Sequence, residues 1–423
     1  MAGNQEIASR PALPVIFVLI TLGIDAIGIG IVIPIVPELV RELGHLDASA
    51  ASAWVGGLVA TYAAAQVFAG PILGGLSDRF GRRPIILASV AGLGANYLLL
   101  AFAPTLSWLF VGRVLAGITG ANVSASTAYI ADITPPADRA RRFGLIGAVF
   151  GCAFIVGPGI GGGLGAVDLR LPFLAAAGLA FCNFLYGLLI LPESLPRERR
   201  RLFSWKRANP AGSFRALAAD PGIARLALGW ACMWFGLGAL QSTFVLYTGL
   251  RFGWGPPNNG AALAAIGLSQ AVVQGLLVRR IIVGLGERRA AMAGQACTAM
   301  AYAIYGSATR GWMMYPGIVV QALGAVANPA MRALISIRAG PDRQGEIQGA
   351  LSSVEGVTAI ISPVVASSLF GAFSAPGARP YMPGAGFYAA AALYLAALGC
   401  VRGVSLPNLG RDAEAPTHAP RAG

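Results

Sequence analysis

Gly74-Gly75-Leu76-Ser77-Asp78-Arg79-Phe80-Gly81-Arg82-Arg83-Pro84 is a charged, glycine-punctuated turn with a long apolar run on either side. The runs from about Ala51 to Leu76 and from Pro84 to Phe102 are each long enough to cross a bilayer. A turn this short joins two neighbouring antiparallel spans. Its net positive charge predicts a cytoplasmic location, and that orients the rest of the chain.

Of the 423 residues, 56% are hydrophobic and 12% charged, with a mean hydropathy of +0.67. A soluble chain carries about a quarter charged residues. Here the charges sit between long apolar runs, the pattern of an all-α membrane protein that crosses the bilayer repeatedly. A net charge of +13 raises the possibility of nucleic acid, but the basic residues form no single patch, so no nucleic-acid partner is expected. They fall in alternate loops.

Twelve spans are predicted, at 13–37, 52–76, 84–103, 106–130, 143–166, 172–191, 223–248, 260–282, 289–309, 313–336, 346–370 and 381–402. With both termini cytoplasmic, the inner segments hold Arg10, Arg79, Arg82, Arg83, Arg139, Arg141, Arg142, the cluster from Arg197 to Arg215, Arg279, Arg280, Arg288, Arg289, Arg338 and Arg343. The outer loops hold Arg41, Arg170, Arg251, Arg310 and Arg379. This asymmetry supports an even number of spans.

The expected organisation is a polar tail (1–12), a six-helix bundle (13–191), a basic linker (192–222), a second six-helix bundle (223–402) and a Pro/Ala-rich tail (403–423). The linker is too long for an ordinary helix connection, and the last tail reads as disordered. The seventh span starts about 210 residues after the first, so the halves read as a duplication. Arg279-Arg280 and Gly286-Glu287-Arg288-Arg289 form a decayed counterpart of the opening turn. The five cysteines (Cys152, Cys182, Cys232, Cys297, Cys400) lie in apolar runs without metal-ligand spacing and read as small core residues. No cleavable signal peptide is evident.

Asp25 stands near the middle of the first span. A carboxylate there costs about 2.5–3.5 kcal/mol on insertion scales, so it is expected to face a cavity or, on the blander reading, to bond a neighbouring helix. Arg113 in the fourth span needs water, a carboxylate or carbonyl oxygens, and Asp25 is the expected partner. Gln66, Asn96, Gln241, Gln270 and Gln274 lie within spans, either as helix–helix contacts or as hydrogen-bonding groups of a substrate cavity. Glu355 in the eleventh span is a second acid within an apolar run. The fifth span carries Gly144, Gly147, Gly151 and Gly157-Pro158-Gly159-Ile160-Gly161-Gly162-Gly163. That density of glycine around a proline predicts a kinked helix packed backbone to backbone.

These residues together resemble the major facilitator superfamily. Gly74, Asp78, Arg79, Gly81, Arg82 and Arg83 match its motif between the second and third spans, and Arg113 and Gly117 its fourth-span motif. Gly157, Pro158, Gly161 and Gly162 match its antiporter motif, with Ala153 in place of a usual glycine. Over most of its length the chain is similar to the twelve-span tetracycline-efflux antiporters of bacteria. The similarity includes Asp25-Ala26-Ile27-Gly28-Ile29-Gly30, Tyr129-Ile130-Ala131-Asp132, Leu191-Pro192-Glu193-Ser194 and Arg251-Phe252-Gly253-Trp254.

The resemblance implies proton-driven export by alternating access from a bacterial inner membrane. In the relatives the cargo is a tetracycline–magnesium chelate. It implies no permanently bound cofactor, a monomer in the lipid bilayer, and a drug and protons as partners. It also implies that Asp78 braces the eleventh span, that Arg82 pairs with Asp132, and that Asp25 and Arg113 lie in the central cavity. Three positions depart from the relatives, which usually carry an acid where Asn96 stands, a His where Gln270 stands and an acid where Thr298 stands. The resemblance implies proton coupling through Asp25 with Arg113 beside it; Glu355, an acid the relatives lack, is a second candidate carrier or a gate residue. Export of another amphiphilic drug or metabolite is the alternative, and a transport-dead sensor or scaffold is the alternative of another class. An enzyme is disfavoured, because no nucleophile–base set is visible. A channel is disfavoured too, because no ring of charges is.

Overall fold

The computed structural model describes residues 13–200, 217–218 and 220–404, and the regular structure within them is helical. Residues 1–12, most of the linker and 405–423 lie outside the described residues. The first half comprises α1 (Leu13–Val32), α2 (Val36–Gly44), α3 (Ala48–Phe80), α4 (Arg82–Ala101), α5 (Leu106–Gly120), α6 (Val123–Asp132), α7 (Arg139–Gly165) and α8 (Leu171–Ile190). The second comprises α9 (Pro221–Phe252), α10 (Pro256–Val272), α11 (Val278–Ser307), α12 (Met314–Gly324), α13 (Ala327–Ala339), α14 (Gln344–Ser374) and α15 (Ala385–Arg402).

Among the described residues, eleven stretches are long and apolar enough to cross a membrane. One of them, Pro256–Ser307, is 52 residues long and bends at Gly286, where φ is 75°. It therefore holds the eighth and ninth crossings, which makes twelve. The fourth and tenth crossings are each broken once. Turns at Ala121–Asn122 separate α5 from α6, and turns at Ala325–Val326 separate α12 from α13. Non-helical backbone at this depth is tolerated where it lines a cavity or is buried in protein.

Caps follow from the sequence. Asp47 accepts from the Ala50 N–H at 2.7 Å at the start of α3, and Asp220 from the Ile223 N–H at 2.7 Å at the start of α9. Asp220 also accepts from Arg338 at 2.7 Å, and this hydrogen bond is the main cause that holds its carboxyl below the ordinary carboxylate range. A depressed carboxylate contributes stability above its unfolded value and loses it only as pH falls through the lower folded value. The pair is therefore ionised throughout the neutral range.

The outer surface is apolar. Leu189 is 84% and Phe68 71% exposed, as expected of groups that meet acyl chains. The five cysteines correct the expectation of core placement. None is buried, and Cys152 and Cys182 are fully on this surface. An apolar run alone does not reveal which face of a membrane helix looks inward, because lipid and core are equally apolar.

The two halves pack through α3 against α14 and α7 against α10. Ser49 Oγ donates to the Gly371 carbonyl at 3.0 Å across this boundary. A methyl group placed on Gly56 would lie 2.7 Å from the Pro363 carbonyl oxygen, and one on Gly162 would lie 2.6 Å from that of Pro256. These contacts lie at the end opposite the basic turns. At the basic end, added methyls on Gly144, Gly147 and Gly151 of α7, or on Gly345 and Gly349 of α14, would meet nothing within 4 Å. The halves close at one end and part towards the other.

The duplication is clearer in backbone than in sequence. Gly81 (φ 108°, ψ 161°) ends α3, and Gly286 (φ 75°, ψ 159°) divides the eighth crossing from the ninth. Two residues on, Arg83 donates to the Leu188 carbonyl near the end of α8 at 2.8 Å. Arg288 likewise donates to the Arg402 carbonyl at the end of α15 at 2.6 Å. Each half thus ties the turn after its second crossing to the tail of its sixth.

Candidate functional site

The basic turn is held by charge. Arg82 contacts Asp78 at 2.6 Å and Asp132 at 3.2 Å, and Ser194 donates to Asp132 at 3.2 Å. Glu193 accepts from the N–H groups of Arg82 (2.8 Å) and Arg83 (3.3 Å) at the start of α4, a carboxylate at the positive end of a helix. Arg79 lies over the Phe80 ring, 5.1 Å from its centroid. Asp78 is thus engaged by its own turn, not by α14, the eleventh crossing, which has parted from α3 at this end. Gly74 packs beside Ser124 of α6, 3.8 Å from an added methyl.

Gly81 occupies a backbone region open essentially to glycine, and a side chain there would collide with Glu193. Gly81→Ala is expected to cost roughly 1–3 kcal/mol from backbone strain alone. A lower thermal midpoint of the detergent-purified variant checks this, and an unchanged midpoint contradicts it.

Asp25 on α1 is 5% exposed. Its Oδ2 accepts from Asn122 Nδ2 at 2.7 Å, while Oδ1 is buried without a hydrogen-bond partner. Asn122 lies in the break between α5 and α6, which turns its side chain back onto α1. The expected pairing of Asp25 with Arg113 does not occur. Arg113 is nine residues before Asn122 on the same crossing, about 13 Å along the axis, so it sits at another level. Tyr62 and Tyr97 lie within electrostatic range of both charges, and Gln66 donates to the Tyr62 hydroxyl at 3.2 Å. Tyr97 fills the space beside Gly28.

The second half holds a cavity of about 400 Å³. Gln270 of α10 and Gln274 line it, with Thr298 of α11, Gln321 of α12, Asn328 and Arg332 of α13, and Trp234 of α9. Gln274 lies in the π-helical stretch Val273–Leu277, a form that recurs at functional positions. The break between α12 and α13 contributes Gly324 and Ala325 to the wall. Glu355 of α14 pairs with Arg332 at 2.7 Å. The guanidinium also bonds Gln348 at 3.2 Å and lies 5.0 Å from the Trp230 ring centroid.

The sequence-predicted residues therefore divide. Gln270 and Gln274 reach the cavity, and Thr298 joins them. Gln66 belongs to the tyrosine cluster of the first half. Asn96 is fully buried, and its amide oxygen is 3.1 Å from a methyl added to Gly112, which places it between α4 and α5, away from the cavity wall. Gln241 is exposed on α9 and outside that wall. Gly157 and Gly161 seat α7 on α1, where added methyls would lie 2.7 Å and 2.5 Å from the Ile27 and Ile31 carbonyl oxygens. Gly162 seats α7 on α10, and Pro158 lies inside α7. Asn122 and Arg332 went unread, although each is a polar residue inside an otherwise apolar run.

A profile of the Major Facilitator Superfamily matches residues 18–363. The chain is 38% identical over 387 residues to the class C tetracycline resistance protein of Escherichia coli, covering 92% of this chain and 96% of that protein. It is 35% identical to the class G tetracycline resistance protein of Vibrio anguillarum, over 84% and 90%. Two solved structures share the fold. The nucleoside transporter NupG superposes with a TM-score of 0.73 at 13% identity over 92% of this chain and 98% of that one. An inward-facing, unoccupied bacterial homolog of the human lysosomal transporter Spinster gives 0.67 at 16% over 93% and 95%. The chain belongs to the Major Facilitator Superfamily, among the relatives of the bacterial tetracycline resistance proteins.

Proposed function

We propose that this protein is a proton-driven antiporter that exports tetracycline-like drugs across a bacterial inner membrane by alternating access. With the basic turns in the cytoplasm, the parted end opens inward and the α3–α14 and α7–α10 contacts form the outer seal. The observation that carries the reading is Asp25, a carboxylate buried at the break of the fourth crossing with one oxygen unpartnered, inside a bundle whose halves meet at one end.

Asp25 carries the proton. In the inward-open state its protonated carboxyl group gives up the proton to the cleft, and Asn122 Nδ2 donates to the carboxylate that results. Rocking of the halves exposes it to the other side, where it is reloaded. Glu355, the second candidate, is already held by Arg332 and serves as a counter-ion. In the outward-open state α3 and α14 approach at the basic end, and Asp78 is then placed to brace α14. The gradient supplies the energy, and a divalent ion would enter only as part of the cargo. The reading needs one copy of the chain and its bilayer.

The replaced groups at Gln270 and Thr298, both in the cavity wall, favour a second reading, export of a different amphiphilic compound. Tetracycline accumulation in a susceptible bacterium expressing the chain, with and without a protonophore, separates the two. Lowered accumulation that the protonophore restores supports tetracycline export. Unchanged accumulation, with the protein present in the membrane, moves the substrate to another compound.

A further inference from the structure

The cavity of the second half carries charge of one sign. Arg332 is the one charged side chain among the described residues of its wall. The other polar groups are the neutral amides Gln270, Gln274, Gln321 and Asn328 and the hydroxyl of Thr298. Hard divalent cations are held by carboxylates and other oxygens, and among the described residues no group of three or more His, Cys, Asp or Glu is placed to hold a metal. A metal chelate entering here would meet a guanidinium.

Arg332 is instead built to receive an anion. Its plane is supported by Trp230, and its Nη1 and Nη2 bond Gln348 and Glu355, which leaves further N–H donors for a ligand. The Glu355 side chain is 20% exposed and that of Arg332 40%, so the arginine is the more accessible member of the pair. Exchanging Glu355 for a ligand oxyanion replaces one charge-assisted hydrogen bond by another, and the guanidinium is never left bare.

We propose that Arg332 recognises an oxyanion of the exported compound, that Glu355 is the internal counter-ion it displaces, and that the compound occupies this cavity free of divalent metal. This rests on the tetracycline-export reading and narrows it. The enol–diketone edge of a tetracycline is both its acidic edge and its chelating edge, so the arginine and a divalent cation compete for the same oxygens. The neutral amides then bond the remaining carbonyls and hydroxyls, and Trp234 supplies an apolar wall.

Equilibrium binding of tetracycline to the purified full-length protein, in excess magnesium and in EDTA, tests this. Binding in EDTA is expected to be at least as tight as in magnesium. Arg332→Gln is expected to weaken it in EDTA by about tenfold or more, the scale of one charge-assisted contact. Glu355→Gln removes the competing carboxylate and is expected to tighten binding. Because Arg332→Gln leaves Glu355 unpaired, the double variant Arg332→Gln/Glu355→Gln, neutral at both positions, controls for folding and is also expected to lose binding. A strict requirement for magnesium, or unchanged binding in the folded double variant, overturns the proposal and leaves tetracycline export standing. Absence of binding in both buffers overturns the tetracycline reading and this proposal together.

Discussion

Asp25→Asn is expected to abolish substrate-driven proton flux while leaving the protein folded. Asparagine is nearly isosteric, and its side-chain oxygen can still accept from Asn122 Nδ2, now 2.7 Å from the carboxylate. What it cannot do is gain and lose a proton. Loss of a positioned proton-transfer group typically removes about 10²–10⁴-fold of rate, so coupled flux should fall by at least about two orders of magnitude. The measurement is pH change in the lumen of proteoliposomes on adding substrate. Flux within a few-fold of the unsubstituted protein would mean that another group carries the proton, with Glu355 the first to test.

Gly162→Ala carries the second large effect. The added methyl would lie 2.6 Å from the Pro256 carbonyl oxygen and 3.0 Å from Gly260 Cα, so α7 and α10 must separate. Overpacking of this kind costs roughly 1–3 kcal/mol. Here the cost falls on the state in which the outer seal is closed and is relieved when the halves rock apart. That shifts the balance of the two states by about 5–150-fold, and transport should slow correspondingly. Spin labels on α7 and α14 at the basic end, near Gly147 and Gly349, should report a shorter separation in the variant. Gly157→Ala is the control. Its clash, 2.7 Å from the Ile27 carbonyl oxygen, lies within one half, where α1 and α7 move together, so it should lower stability without changing that separation. Equal distances in all three proteins would contradict a hinge at the α7–α10 seam.

Much of this architecture was legible because bilayer physics leaves so few options. Apolar runs separated by basic loops specify helices and their number, and the spans marked out by hydropathy match the helices closely. The Gly286 turn was also legible, as a positional echo of Gly81, and the backbone shows the two to be equivalent. The breaks in the fourth and tenth crossings were not seen, although each begins at the alanine of a Gly-Ala pair, Gly120-Ala121 and Gly324-Ala325. Neither contains proline, so nothing in local propensity demanded a break.

The site was legible in its residues and not in its pairings. Sequence gives the depth of a polar group along a span but not its rotation about the axis or its level relative to a neighbouring helix. Arg113 was therefore matched with Asp25, whereas the break at Asn122 brings an amide to that carboxylate instead. Asn96 looked like a cavity residue and proved to lie between two helices. Arg332 stands near the end of its apolar run, where an arginine can simply reach for the interface, and only the fold sets it against Glu355 and the cavity.

The central claim is coupling of tetracycline export to proton entry, and transport by the purified protein in proteoliposomes tests it most directly. In vesicles oriented with the basic turns outside, tetracycline uptake should require an acidic lumen and should stop when an ionophore collapses the gradient. Uptake that proceeds equally well without a pH gradient would contradict the account.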